Sequence, residues 1–214
     1  MKEIVTLKNE YINVNSSYGG SQQFFSKDEG LMSRGKRAGG CGVVALNDCL
    51  AYLKGATSYE SIPAYKKAFN KTARKVLFIP SSLGMSYIQL FLGAKALLFK
   101  ASIKLKSSWC FSRKKAYLRI SDMLSNNLPV ILGIPKIFVK HKKDSELSFY
   151  DCTLLKVNQT HGHFVVITGI YSEESKIYFS ISSWGRKYFI SYDELMAFLK
   201  KHPASLLGFM LYLR

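Results

Sequence analysis

"AGGCGVVALNDCLAYLKG", Ala38 to Gly55, sets a cysteine among glycines at the head of an apolar run. Behind Cys41 come Val43, Val44, Ala45, Leu46, Cys49, Leu50, Ala51, Tyr52 and Leu53, interrupted only by Asn47 and Asp48. A helix apolar on nearly every side belongs inside a domain. The spacing therefore predicts a buried helix from Cys41 to Lys54, stopped by Gly55. Its first residue can still open on a cleft, where a thiol would feel the positive end of the helix dipole and favour thiolate. The competing reading is packing alone, because cysteine also serves as a small apolar residue. Cys49, about two turns further on, reads as an inert packing residue, as do Cys110 and Cys152. Gly39, Gly40 and Gly42 read as backbone freedom that lets a substrate chain approach the thiol.

Working outward, residues 1 to 40 are polar and glycine-rich and read as an extended arm with loops. Helical periodicity returns at Ser58–Arg74, Leu83–Leu98 and Lys114–Asn126, and a short strand is expected within Lys100–Lys106. The period then changes. "LPVILGIP" (128–135), "HFVVITGIY" (163–171), "KIYFSISSW" (176–184), "KYFISY" (187–192) and "GFMLYL" (208–213) read as strands. Asp193–Lys201 reads as a helix, and "KHKKDSELS" (140–148) as a charged excursion between strands. Helices first and antiparallel strands after argue for an α+β fold in a single domain. Residues 1–126 would form a mostly helical lobe and 127–214 a mostly β lobe, with a site in the cleft between them.

At 214 residues with 48% hydrophobic content, the chain is long and apolar enough for a sizeable core, which excludes global disorder. The net charge of +17 points to an acidic partner or to a lysine-rich solvated surface. No recognised nucleic-acid motif accompanies it. The four cysteines form no zinc-type spacing and are too sparse for a disulfide scaffold, so no metal is expected and a reducing compartment fits. The N-terminus lacks the apolar run of a signal peptide and no stretch reads as a membrane span, which makes cytoplasmic the expected location.

A thiol nucleophile needs a base within reach and a third group to orient that base. His202 lies beside Pro203, and His141 sits in a lysine-rich loop. His161 and His163 open the strongest strand, where His163, Val165 and Ile167 share one face. "GGCGVVALNDCLAYL" early, "GHFVVITGI" late and then "SISSWGRKYFISYDEL" resemble the papain-like cysteine peptidases, closest to the bacterial double-glycine, bacteriocin-processing (C39-like) branch. "NNLPVILGIP" also looks like the element before that family's histidine strand. The resemblance covers roughly residues 18 to 199 as separated patches. It implies Cys41 as nucleophile at the start of the central helix, His163 as base and Ser182 of "SSWG" in the orienting Asn position. It implies Gln22 as oxyanion donor, with Gln23 the other candidate, and Trp184 as a shield over the His–Ser pair.

Two departures stand out. Serine replaces the orienting Asn or Asp, and a basic insertion, Lys27 to Lys36, separates the glutamines from Cys41. Ser183 is expected to point to the opposite face from Ser182. The resulting expectation is thiol-dependent hydrolysis of a peptide or amide bond by a free-standing enzyme without cofactor. The alternatives are an impaired papain-fold binding module, an acyltransferase using the same residues, and a basic nucleic-acid binder.

Overall fold

The computed structural model describes residues 1–25, 40–76, 85–110, 115–135, 146–201 and 210–213. The basic insertion at 27–36, Gly39, His141 and His202 lie outside them. Helix α1, Gly40–Leu53, is buried at eleven of its fourteen positions, as its all-round apolar sequence requires. Gly55, at φ +79°, ends it in the left-handed conformation that glycine adopts without steric cost. Helix α2, Ile62–Val76, is amphipathic and turns Tyr65, Phe69 and Ala73 inward. Helix α3, Tyr87–Lys100, begins four residues later than the hydrophobic pattern implied. Ser86 and Gln89 form a reciprocal capping box there, and this fixes the start. Helices α4, Ala116–Ser125, and α5, Tyr192–Lys201, complete the set among the described residues. Asp193 and Glu194 open α5 and Lys200 and Lys201 close it, a charge order that matches the helix dipole.

The strands are β1 (Lys2–Thr6), β2 (Asn13–Val14), β3 (Ser17–Tyr18), β4 (Ser58–Tyr59), β5 (Ser107–Cys110), β6 (Val130–Ile134), β7 (Leu147–Tyr150), β8 (Lys156–Thr160), β9 (His163–Glu173), β10 (Lys176–Ser183), β11 (Arg186–Ser191) and β12 (Met210–Leu213). The large sheet runs β5-β12-β6-β9-β10-β11-β7-β8, with β1 also paired to β9, and its pairings are antiparallel. A three-stranded sheet, β3-β2-β4, stands apart. The protein is α+β.

Strand β9 organises the large sheet. Along one edge its first half pairs with β6, His163 opposite Ile134 and Ile167 opposite Val130. Its second half on that edge pairs with β1, Gly169 opposite Thr6 and Ser172 opposite Lys2. On the other edge it pairs with β10. Strand β1 thus draws part of the expected N-terminal arm into the sheet. The strand expected within 100–106 lies at Ser107–Cys110 instead. Strands β7 and β8 lie outside the pattern the sequence predicts: β7, LSFY, is only four residues long and follows a charged segment, and β8, KVNQT, is polar and largely exposed at the sheet margin. Glu174 and Ser175, and again Trp184 and Gly185, take positive φ in two-residue hairpin turns, the handedness that matches strand twist.

Glycine at 133 is a packing requirement. A Cβ there would stand 2.1 Å from the ring of Tyr87, which leans from α3 onto β6. Gly133→Ala should destabilise the protein by ~1–3 kcal/mol through overpacking. Combining it with Tyr87→Ala should cost less than the sum of the two single changes, measured by urea denaturation.

Candidate active site

Cys41 is the second residue of α1, and His163 is the first residue of β9. The two elements pack together, and both residues line one cavity of about 20 Å³ with Gln22, Ser182, Ser183 and Trp184. The thiol is buried, 7% exposed. The nearby backbone N–H groups of Phe164, Gly42 and Cys41 itself favour the thiolate. Burial is the larger effect and pushes the thiol pKa up. The thiolate expected from the helix dipole is therefore not the resting form.

His163 is equally buried, and loss of solvent lowers its pKa to about 4, so the ring is neutral at pH 7. Its Nε2 lies 2.8 Å from Ser183 Oγ. The Trp184 ring stacks on the imidazole, centroids 4.6 Å apart and planes 18° from parallel. Trp184 reaches this place from a left-handed backbone, φ 49°, in the tight turn after β10.

The orienting serine differs from expectation. Ser182 Oγ donates to the Tyr18 carbonyl at 3.0 Å, and Ser183 meets the ring. The cause is a bulge. Up to Ser180 the register pairs Ser180 with Gly169, which would set Ser182 opposite Ile167 and on the His163 face. Between Ser180 and Ile181 it shifts by one, so Ser182 faces Val166. Residues opposite one another share a face, and Ser183 thereby joins the face of Val165 and His163.

Gln22 lines the cavity, and its Oε1 is buried without a hydrogen-bond partner. Gln23 is exposed. His161 lies outside the cavity, 3.6 Å from Glu146. Cys49 is fully buried, whereas Cys152 is exposed. Gly42 is helical, and its missing Cβ makes room for Met85 Sδ, which would stand 2.6 Å away. Its role is close packing, not backbone freedom.

One residue of the site went unread. Asp48, two turns below Cys41 on α1, lines the same cavity and is 1% exposed. It accepts from the Gly20 N–H at 2.7 Å and from the Tyr65 hydroxyl at 3.0 Å. Ser182 anchors the Tyr18 carbonyl, and Gly185 exchanges backbone bonds with Tyr18 and Gly20. Together these bonds pin the strap 18–20 that leads into Gln22. The signal was available, because a carboxylate inside an apolar helix run demands a partner. Among the described residues no cluster of His, Cys, Asp and Glu could hold a metal, and no helix is long and apolar enough to cross a membrane.

No family model and no curated protein matches the chain. Among solved structures, it is similar to a Bacillus anthracis protein provisionally classed as a C39-like peptidase. The identity is 16% and the TM-score 0.48, covering 82% of this chain and 89% of the other.

Two outcomes follow from the burial of these groups. At neutral pH, iodoacetamide should modify exposed Cys152 well before Cys41 in the folded protein, read by mass mapping. Burial raises the Asp48 pKa to about 7 from 3.8, so the folded state holds a proton that the unfolded chain releases. The stability of wild type relative to Asp48→Asn should fall as pH rises from about 4 to about 7, then level off. The change should be on the order of 4 kcal/mol, at about 1.4 kcal/mol per unit, in urea titrations across that range.

Proposed function

We propose that the chain is a thiol-dependent hydrolase of papain-like type acting on a peptide or amide bond, with Cys41 as nucleophile and His163 as base. The observation that carries this reading is the shared cavity. The start of a buried helix and the start of a central strand bring a thiol and an imidazole to one small space. Neighbouring backbone N–H groups favour the thiolate, and a hydroxyl holds one ring nitrogen.

The resting pair is neutral thiol and neutral imidazole. As Cys41 sulfur attacks the substrate carbonyl, its proton passes to His163, so charge develops only along the reaction. The reaction uses the tautomer in which Ser183 accepts from the Nε2–H and Nδ1 takes the thiol proton; a hydroxyl can partner either ring tautomer, so the mechanism, not the hydrogen bond, makes this choice. The Trp184 face keeps water from the ring. The tetrahedral oxyanion takes hydrogen bonds from the Cys41 N–H and from the Nε2 amide group of Gln22, which lines the same cavity. Collapse expels the amine, which takes the proton from His163. Water, deprotonated by His163, then resolves the thioester to the acid and frees the thiol. Ser182 acts one step back, through the strap that carries Gln22.

A binding role for the same fold is the second reading, favoured by the cavity's size. About 20 Å³ holds roughly one water, and a substrate carbonyl needs the site to open. p-Nitrophenyl acetate separates the two, because it needs no specificity pocket. The hydrolase reading expects a nitrophenolate burst with acetyl on Cys41 by mass mapping, lost in Cys41→Ser and slowed about 10²–10⁴-fold in His163→Ala. The burst rate should rise with pH through about 4, where His163 loses its proton, and then plateau. Acetylation spread over Cys152 and lysines at rates indifferent to His163 would favour the binding role.

A further inference from the structure

The positive charge is concentrated in one part of the chain. Between Ser61 and Ser121 there are thirteen Lys and Arg and not one Asp or Glu, against a net charge of +17 for the whole protein. This segment includes α2 and α3, and on α3 the charge meets exposed apolar surface. Ile88, Leu92 and Phe99 are 70%, 45% and 89% exposed. At 3.6 residues per turn they fall within about 60° of one another, opposite the buried Leu90, Ala94 and Leu97. Single exposed apolar residues are ordinary, whereas a line of three along one helix is a binding feature. Lys95 lies on the same line.

At the C-terminal end of this stripe the lysines gather. Lys54 just after α1, Lys71 and Lys75 in the second half of α2 and Lys100 at the end of α3 border a cavity of about 380 Å³. The Lys75 and Lys100 ammonium groups lie within hydrogen-bond reach of each other, and the repulsion lowers the pKa of Lys75. Among the described residues no carboxylate pairs with any of the four. Lysines in a last helical turn offset the helix dipole, but four lysines around one cavity exceed what that requires. A phosphate between them would relieve the repulsion.

We propose that the outer face of α3, with the lysine-rimmed cavity at its end, docks on an anionic lipid bilayer. Ile88, Leu92 and Phe99 enter the acyl boundary while the lysines meet headgroup phosphates. An amphipathic helix lying in the interface combines these two contributions, buried apolar area and attraction to anionic lipid. Nucleic acid fits less well, since aliphatic side chains gain nothing against a phosphate backbone. A second copy of the chain would bring two positive faces together. This surface is independent of the Cys41 site and does not rest on the hydrolase reading.

Flotation with large unilamellar vesicles tests it, using phosphatidylcholine alone and phosphatidylcholine with 30% phosphatidylglycerol, at low and high salt. The protein should float with the anionic vesicles only, and less as salt rises. Phe99→Asp and the pair Lys75→Glu with Lys100→Glu should each weaken partition at least tenfold. All three positions lie at the surface, and circular dichroism checks that the fold persists. Equal binding to both vesicle types, no binding, or Phe99→Asp binding as wild type would overturn the proposal. Binding of a 20-base-pair duplex that matches the vesicles in strength and ignores Phe99→Asp would reassign the face to nucleic acid.

Discussion

The packing of α1 against β9 is the constraint on which the rest depends. An apolar helix must be covered on nearly all sides, and among the described residues the sheet built on β9 covers one side of α1 while α2 and α3 pack on others. Once they meet, the first turn of the helix and the first residues of the strand are neighbours. Phe164 and His163 line the same cavity as Cys41. Gly42 and Gly133 serve the same closeness, one leaving room for Met85 and the other for Tyr87. The proposed chemistry is thus a by-product of core packing at one end of the helix, with the reacting groups placed by elements that are stable for other reasons.

The same burial sets the electrostatics. Desolvation raises the thiol and lowers the imidazole, so the two groups rest uncharged although nearby backbone N–H groups favour the thiolate. It also lifts Asp48 toward neutral pH while binding it to the strap before Gln22. A serine hydroxyl suffices to hold a ring that starts neutral, because there is no resting imidazolium to stabilise. The far end of α1 is the opposite environment. There four lysines gather beside an apolar stripe with no carboxylate paired to them among the described residues, so one helix joins an enclosed polar site to a basic surface.

Much was legible from residue pattern. The run after Cys41 could only be a buried helix, and the β-branched segments at 128–135 and 163–171 could only be interior strands. Cys41 and His163 each stand at the edge of such an element, whereas Gln22 was implied only by the resemblance to the papain-like peptidases; all three line the cavity. Local pattern failed where pairing partners matter. Strands β1 and β8 are polar and short, and each exists through the neighbour it hydrogen-bonds.

The serine beside the imidazole marks the boundary most clearly. The sequence by itself determined that two adjacent serines end β10 before a turn, and alternation guarantees that only one of them shares the histidine's face. Which one does depends on the count of residues between two strands. The extra residue between Gly169 and Ile167, opposite the step from Ser180 to Ile181, moves that count by one. A bulge is a property of two paired backbones, so no reading of either strand alone contains it. Tertiary pairing therefore chose Ser183 for the ring and left Ser182 to hold the strap.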